Sequence, residues 1–450
     1  MLNKLYTSEQ TIKRRKIDYI ILIAVSLLAA LGFFTVLSAV SGLSYGSDVV
    51  RTHIIALPVA AGAFLFGWLF NYQIYNEQYK ILYGLILALL AAVLAFGIVS
   101  RGSNSWFRVG FISLQPAEIC RIATILIGSS FLIRNYQNIK EAKTLILFAV
   151  LILPIFGLIM LQPDFSSIVV TAPALLILLY AAGVNIFYFI VLVAFGLSAA
   201  VLPVLWTYIS LHPEVVENSI FFYVISQLSS NWLYISGLCC LIIAAGFLVL
   251  YLLKQFRLYI APFFVLVMCG VIMAGFFSGL FVNKQMKTYQ RKRVEAFLAP
   301  NSDPKGAGYN VLQAQIAMGS GGLLGKGLFS GTQSRLGFVP ERHTDFILAV
   351  LGEETGLLGT LFVLSLYIIL LWRTAYIATL SSDRYGYLVC CGIFGIFFVY
   401  MIFNFGMLIG IVPVAGIPLP FISYGGSNLV ASMWAFGIVE SVYRRRLTIN

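Results

Sequence analysis

Pro340-Glu341-Arg342-His343-Thr344-Asp345-Phe346 runs without a break into the apolar segment that begins Ile347-Leu348-Ala349-Val350-Leu351. Asp345 therefore stands where a hydrophilic loop meets a stretch long enough to cross a bilayer, so its carboxylate belongs to a membrane mouth rather than to bulk water. A charge at that depth is costly unless it is paired or used, which makes it a candidate functional group. A structural role is also open. An aspartate there would cap the helix expected to begin at Phe346, accepting backbone N–H bonds and suiting the helix dipole, and the two roles are compatible.

Outward from this stretch the chain is overwhelmingly apolar. Of its 450 residues 60% are hydrophobic and only 10% charged, with a mean hydropathy of +0.94, well outside the range of a soluble domain. The apolar runs lack the alternation of barrel strands and are of bilayer length, so the fold class is all-α, a polytopic integral membrane protein with about twelve transmembrane helices. The formal net charge of +12 collects largely at span ends. It reads as a topology signal and not as a nucleic-acid footprint. Basic residues before the first span, then Arg134, Lys140 and Lys143, Lys254 and Arg257, Arg373 and Arg384, and Arg444 to Arg446 share one side if the span count is even. That side is cytoplasmic by the positive-inside rule, and both termini lie there. The six cysteines sit inside apolar segments without metal-ligand spacing and are read as packing residues.

The polar interval 283–345 then faces outward. Connections of this length are functional or disordered, and helical spacing in Val294, Phe297 and Leu298 and in Val311, Leu312 and Ile316 argues for short interfacial helices. Arg291, Arg293, Lys305, Lys326, Arg335 and Arg342 lie in this loop against the charge trend. A lipid pyrophosphate would offset that cost through guanidinium and ammonium contacts, and anionic lipid headgroups are the plainer alternative. On the same side lie Trp106 and Arg108, where Trp106 could be an interfacial belt residue. Pro116 suits a first helical turn, while Glu118 and Arg121 share one helix face. Asp164 is expected to cap the following span. Pro413 to Ser427 breaks the helical pattern at membrane depth, which survives only where backbone is buried in protein or lines a wet cavity.

Tyr289-Gln290-Arg291 with Arg293, Lys305-Gly306-Ala307-Gly308-Tyr309-Asn310, Gly319-Ser320-Gly321-Gly322, the run Pro340 to Phe346, Glu353-Glu354 with Gly356, and Gly416-Ile417-Pro418-Leu419-Pro420-Phe421 followed by Ser423 to Ser427 together resemble the SEDS family. These are the shape, elongation, division and sporulation glycosyltransferases of bacterial membranes. The Gly-Ala-Gly-Tyr-Asn and Pro-Glu-Arg-His-Thr-Asp-Phe stretches look more like the rod-shape branch, RodA, than the division branch, FtsW.

The resemblance implies a peptidoglycan glycosyltransferase of the bacterial inner membrane that polymerises lipid II, an undecaprenyl-pyrophosphate-linked disaccharide pentapeptide, during cell-wall elongation. It implies a class B penicillin-binding transpeptidase and other elongation-complex proteins as partners. The family's essential outer-loop aspartate falls on Asp345, its loop tryptophan on Trp106, and its cavity acid and base on Glu118 and Arg121, where arginine replaces the usual lysine. His343 and Ser427 join Arg108, Arg291, Arg293, Lys305, Lys326 and Arg342 as candidate substrate contacts. Members usually have ten spans, so 207–282 is read as an inserted segment with an extra helix pair in an otherwise single domain, 1–450.

Displacement at an anomeric carbon with inversion needs a base on one face and stabilisation of the departing pyrophosphate on the other. Asp345 is expected to be that base, with the loop cations and Arg121 as stabilisers. A divalent cation, magnesium or manganese, could assist, although the sequence holds no dedicated metal cage. A lipid II flippase is the alternative function, and a non-catalytic scaffold a third. The lack of matching halves in the span pattern speaks against transport.

Overall fold

The computed structural model describes residues 17–43, 45–100, 103–109, 112–257, 261–286, 288–300 and 306–447. Asp18 opens the bundle, its carboxylate accepting from the amides of Ile20 and Ile21 and capping α1 (Tyr19–Val40). There follow α2 (Gly46–Leu69), the short α3 (Gln73–Glu77) and α4 (Tyr79–Phe96). Next come three short antiparallel strands in the order β1 (Ile98–Ser100), β2 (Ser103–Val109) and β3 (Ile112–Leu114). These short strands are a local addition to a chain that is otherwise helical throughout its described residues, as the all-α expectation has it. Trp106, Phe107, Val109 and Ile112 are strand-favouring residues in segments bounded by Gly102 and Gly110, and pairing them satisfies backbone groups that a loop at a membrane surface would leave open.

Pro116 starts α5 (Pro116–Arg134), and α6 (Ala142–Leu161) and α7 (Phe165–Ala182) complete this part. The chain continues through α8 (Ile186–Leu211), α9 (Pro213–Asn218), α10 (Ile220–Gln227), α11 (Trp232–Gln255), α12 (Pro262–Gln285), α13 (Thr288–Leu298) and α14 (Ala307–Ser320). It ends in α15 (Thr332–Arg335), α16 (Ile347–Leu380), α17 (Arg384–Leu408) and α18 (Gly426–Arg445). Short helices thus punctuate the long polar interval, as its apolar spacing suggested.

Among the described residues eleven helices are long and apolar enough to cross a membrane. The twelfth expected span exists as α18, 20 residues long, but Asn428, Glu440 and its serines and glycines keep it below the same apolarity. Two compact units emerge where the sequence suggested one domain: Met1–Val184 with Leu312–Asn450, and Asn185–Val311.

In the first unit α5 is the enclosed helix, 83% buried along its span against 17% for α4. Cys120, Ala123 and Ile127 of α5 pack against Ile86 and Leu90 of α4 and Ile155 and Ile159 of α6. A helix so enclosed can carry ionisable side chains only toward protein partners. One end of this unit holds Arg373 on Asp18 at 2.5 Å, with the Asp18 amide on Glu440 at 3.1 Å. The polar segments described below gather at the other end. The second unit has its own core of Trp206, Ile209, Ile225, Leu228 and Phe276.

Candidate active site

The turn carrying Asp345 is held from three directions. Glu341 has a positive φ of 51°, an uncommon conformation for a residue with a Cβ, and its carbonyl accepts from the amides of Thr344 at 3.1 Å and Phe346 at 3.4 Å. The Arg342 guanidinium donates through Nε to the Ala39 carbonyl in the last turn of α1 at 2.6 Å. Burial pulls its pKa below the usual arginine range, and the nearby Tyr45 opposes that shift. The His343 carbonyl accepts from the Tyr424 amide at 2.8 Å, and its ring lies between those of Tyr45 and Tyr424. Ser423 Oγ donates to the Thr344 carbonyl at 2.7 Å while accepting from the Leu419 amide at 2.8 Å.

Arg342, His343, Thr344 and Phe346 are buried by these contacts and Asp345 is left half-buried. The helix itself begins at Ile347, with Phe346 at the N-cap position. Asp345 therefore precedes the cap position instead of occupying it, which corrects the capping expectation.

A second polar cluster lies at the start of α5. Arg121 Nη1 meets Glu118 Oε2 at 2.9 Å, and Nη2 donates to Ser167 Oγ at 3.0 Å. Ser167 in turn donates to Asp164 at 2.6 Å, and Gln115 Nε2 reaches the same Asp164 oxygen at 2.7 Å. Asp164 also caps α7 through the Ser167 amide, as its position predicted. On the other side of Glu118, Tyr400 donates at 3.1 Å and Asn428 at 3.2 Å. Every charge in this cluster is buried and partnered, as groups at membrane depth require. Sequence reasoning missed Tyr400, one of three tyrosines in α17, which no spacing singles out. Ser427 ties the starts of α18 and α5 together, accepting from the Gln115 amide at 2.8 Å and donating to the Ser113 carbonyl at 3.1 Å. The short stretch from Ser423 to Asn428 thus links the Asp345 turn to the Glu118 cluster.

The glycine-rich strip folds back on α16. Lys326 Nζ sits 2.8 Å from Glu353 Oε1 and also contacts Ser320 and Thr332, while the Gln333 and Ser334 amides donate to the same carboxylate. Glu354 accepts from Ser38 of α1. Gly356, at φ 67° and ψ −165°, breaks the helix so that the amides of Leu357 and Leu358 can bond the carbonyls of Gly322 and Leu323. Lys326 is thus placed in an ion pair within the scaffold.

The remaining candidates lie on other elements. Trp106 lies on β2, paired with Ile98, and is half-buried. Arg108 pairs through its backbone with Ser113. Arg291 and Arg293 lie on α13 in the second unit, and Lys305 falls outside the described residues.

The chain matches the family model FTSW_RODA_SPOVE, cell cycle protein, over residues 18–219 and 220–447. It is 34% identical over 378 residues to the peptidoglycan glycosyltransferase MrdB of Escherichia coli K12, covering 84% of this chain and 81% of the relative. To the peptidoglycan glycosyltransferase RodA of Treponema pallidum it is 30% identical over 437 residues, covering 96% and 98%. Two solved structures share the fold. One, described as the structural coordination of polymerization and crosslinking by a peptidoglycan synthase complex, superposes with TM-score 0.63 at 23% identity, covering 96% of this chain and 99% of the other. The other, the rod shape determining protein RodA of Thermus thermophilus, does so with TM-score 0.57 at 21% identity, covering 96% and 98%. With nearly every described residue inside the matched segments, this multi-pass membrane protein belongs to the FtsW, RodA and SpoVE family of cell cycle proteins.

Proposed function

We propose that this protein is a peptidoglycan glycosyltransferase that polymerises lipid II into glycan strands during cell-wall elongation and shape maintenance. The observation that carries the reading is the half-buried Asp345 carboxylate on a turn whose neighbours are tied to α1 and to the 419–424 segment. The names of the relatives support the reaction class.

In this mechanism Asp345 takes the proton from the sugar 4-hydroxyl of one lipid II. The oxygen attacks the anomeric carbon of the lipid-linked strand, the carbon–oxygen bond to phosphate breaks with inversion, and undecaprenyl pyrophosphate leaves. A pyrophosphate needs charge stabilisation more than protonation, and arginines supply it through paired N–H donors. Arg121 is assigned that task together with cations of the outer segments. A divalent cation riding on the pyrophosphate would add to it, a requirement read by chelation and re-addition of magnesium or manganese.

We place the protein in the bacterial inner membrane with both termini cytoplasmic, since within the first unit the basic ends of α5, α16 and α18 sit at the end opposite to Asp345. A class B penicillin-binding transpeptidase is the proposed partner. The structural likeness to a synthase complex that coordinates polymerization and crosslinking supports it.

The test compares wild type and Asp345→Asn reconstituted in vesicles with lipid II. Polymer from the first and none from a correctly folded second is the expected result. Polymer from both removes the base assignment, and lipid II movement across the bilayer without polymer supports a flippase instead.

A further inference from the structure

At the end of the second unit where α8 and α12 finish, a cavity of about 260 Å³ opens between α8, α10, α12 and α13. Its walls are unlike the apolar spans that frame it. Thr207 and Ser210 come from the last turns of α8, Ser226 and Ser229 from the end of α10 and the turn after it, Asn283 from the last turn of α12, and Arg291 from the first turn of α13. Trp206 supplies an aromatic wall, and Trp232 stands exposed at the start of α11. Tryptophans at the ends of apolar helices mark the headgroup level of a bilayer.

The hydrogen bonding inside the cavity specifies what it can receive. Thr207, Ser210, Ser226 and Ser229 each donate their hydroxyl proton to a backbone carbonyl, those of Pro203, Thr207, Tyr223 and Ser226, at 2.7 to 2.8 Å. The Trp206 indole N–H is likewise committed to the Ile225 carbonyl at 2.8 Å. The serines and threonine therefore offer lone pairs, while donors to an anion come from the exposed Arg291 and from the Asn283 amide.

We propose that this cavity binds the headgroup of a glycerophospholipid that itself carries hydrogen-bond donors. The phosphate lies on Arg291 and Asn283, and the ammonium or hydroxyl end lies against the serine oxygens. Size argues for a simple headgroup over the sugar-peptide of lipid II. At roughly 30 Å³ per water-sized group the space holds about nine such groups, enough for phosphoethanolamine or phosphoglycerol and several times too small for a disaccharide pentapeptide. Arg291, a candidate pyrophosphate ligand by charge alone, is then assigned to lipid binding.

The probe is native mass spectrometry of the full chain in detergent with phosphatidylethanolamine, phosphatidylglycerol, phosphatidylcholine or lipid II. The choline headgroup has the phosphate and the positive charge but no N–H or O–H donor. The first two lipids are expected to be retained about tenfold better than phosphatidylcholine, and paired Ser226→Ala and Ser229→Ala changes should erase that preference. Arg291→Gln should weaken retention of all three phospholipids. Equal retention of phosphatidylcholine, or a preference untouched by the serine changes, overturns the proposal, as does displacement by lipid II that depends on Arg291. Should the serine pair fail to give monodisperse protein, Ser210→Ala, at another of the cavity's hydroxyl acceptors, decides by the same criteria. Lipid retention is read without polymerisation, so its failure leaves the glycosyltransferase reading standing.

Discussion

The Tyr400 hydroxyl and the Glu118 carboxylate, brought together from α17 and α5, meet at 3.1 Å, and Asn428 of α18 and Arg121 of α5 reach the same oxygen at 3.2 and 2.9 Å. Three helices are pinned through one carboxylate oxygen. Because Glu118 is 5% exposed and Arg121 4%, removing either partner strands a buried charge.

Arg121→Ala should therefore cost about 3 kcal/mol of stability, the usual penalty for breaking a buried pair from one side. Arg121→Lys should keep the charge on Glu118 and lose the second contact to Ser167, because an ammonium lacks the planar fork. Thermal unfolding in detergent should rank wild type above lysine and lysine above alanine. Equal melting of alanine and wild type would show the pair to be idle.

Lys326 and Glu353 form an asymmetric pair. The lysine side chain is 27% exposed and the glutamate 0%, and Glu353 additionally accepts from Thr332, Gln333 and Ser334. Lys326→Gln leaves those donors in place and should cost about 1 kcal/mol, whereas Glu353→Ala orphans them and should cost about 3 kcal/mol or more. A double variant no worse than Glu353→Ala alone would measure the coupling. If the lysine change alone abolished polymer formation at unchanged stability, Lys326 would contact substrate after all.

A Cβ at Gly32 of α1 would overlap the Phe421 carbonyl oxygen and lie 2.7 Å from Ile422 Cα. That backbone cannot retreat easily, because Ser423 just beyond it carries the bond to the Asp345 turn. Gly32→Ala is expected to destabilise the fold by about 2 kcal/mol and to lower polymerisation further. Gly62→Ala, where nothing lies within 4 Å, should be neutral or stabilising by up to about 1 kcal/mol. Similar behaviour of the two would contradict the close packing of α1 on the 421–422 backbone.

What the chain discloses without coordinates is local. Pro116 at a helix start, Asp164 as a cap and Glu118 facing Arg121 all follow from spacings of a few residues, and the structure keeps them. Tyr400 lies 282 positions from Glu118 and Lys326 lies 27 from Glu353, and no periodicity announces such pairings. The charge of Lys326 is visible in the sequence, whereas its pairing with Glu353 is not. The strands at 98–114 were hidden by their shortness, and Asp345 fell outside the cap position because the turn consumes one more residue than the hydropathy boundary implied.

Ser423 offers a direct test of whether the broken segment before α18 sets the geometry of Asp345. Its hydroxyl bridges the Leu419 amide and the Thr344 carbonyl, one residue from the carboxylate, and is 5% exposed. Ser423→Ala leaves both groups unpaired in a buried place, a loss of about 2 kcal/mol in stability. Small displacements of a catalytic group are amplified in rate, so kcat should fall about a hundredfold while KM for lipid II changes little. Ser423→Thr retains the hydroxyl and should recover most of the rate wherever its added methyl is accommodated. A destabilised Ser423→Ala protein that polymerised at the wild-type rate would mean that the segment holds the fold without aiming the carboxylate.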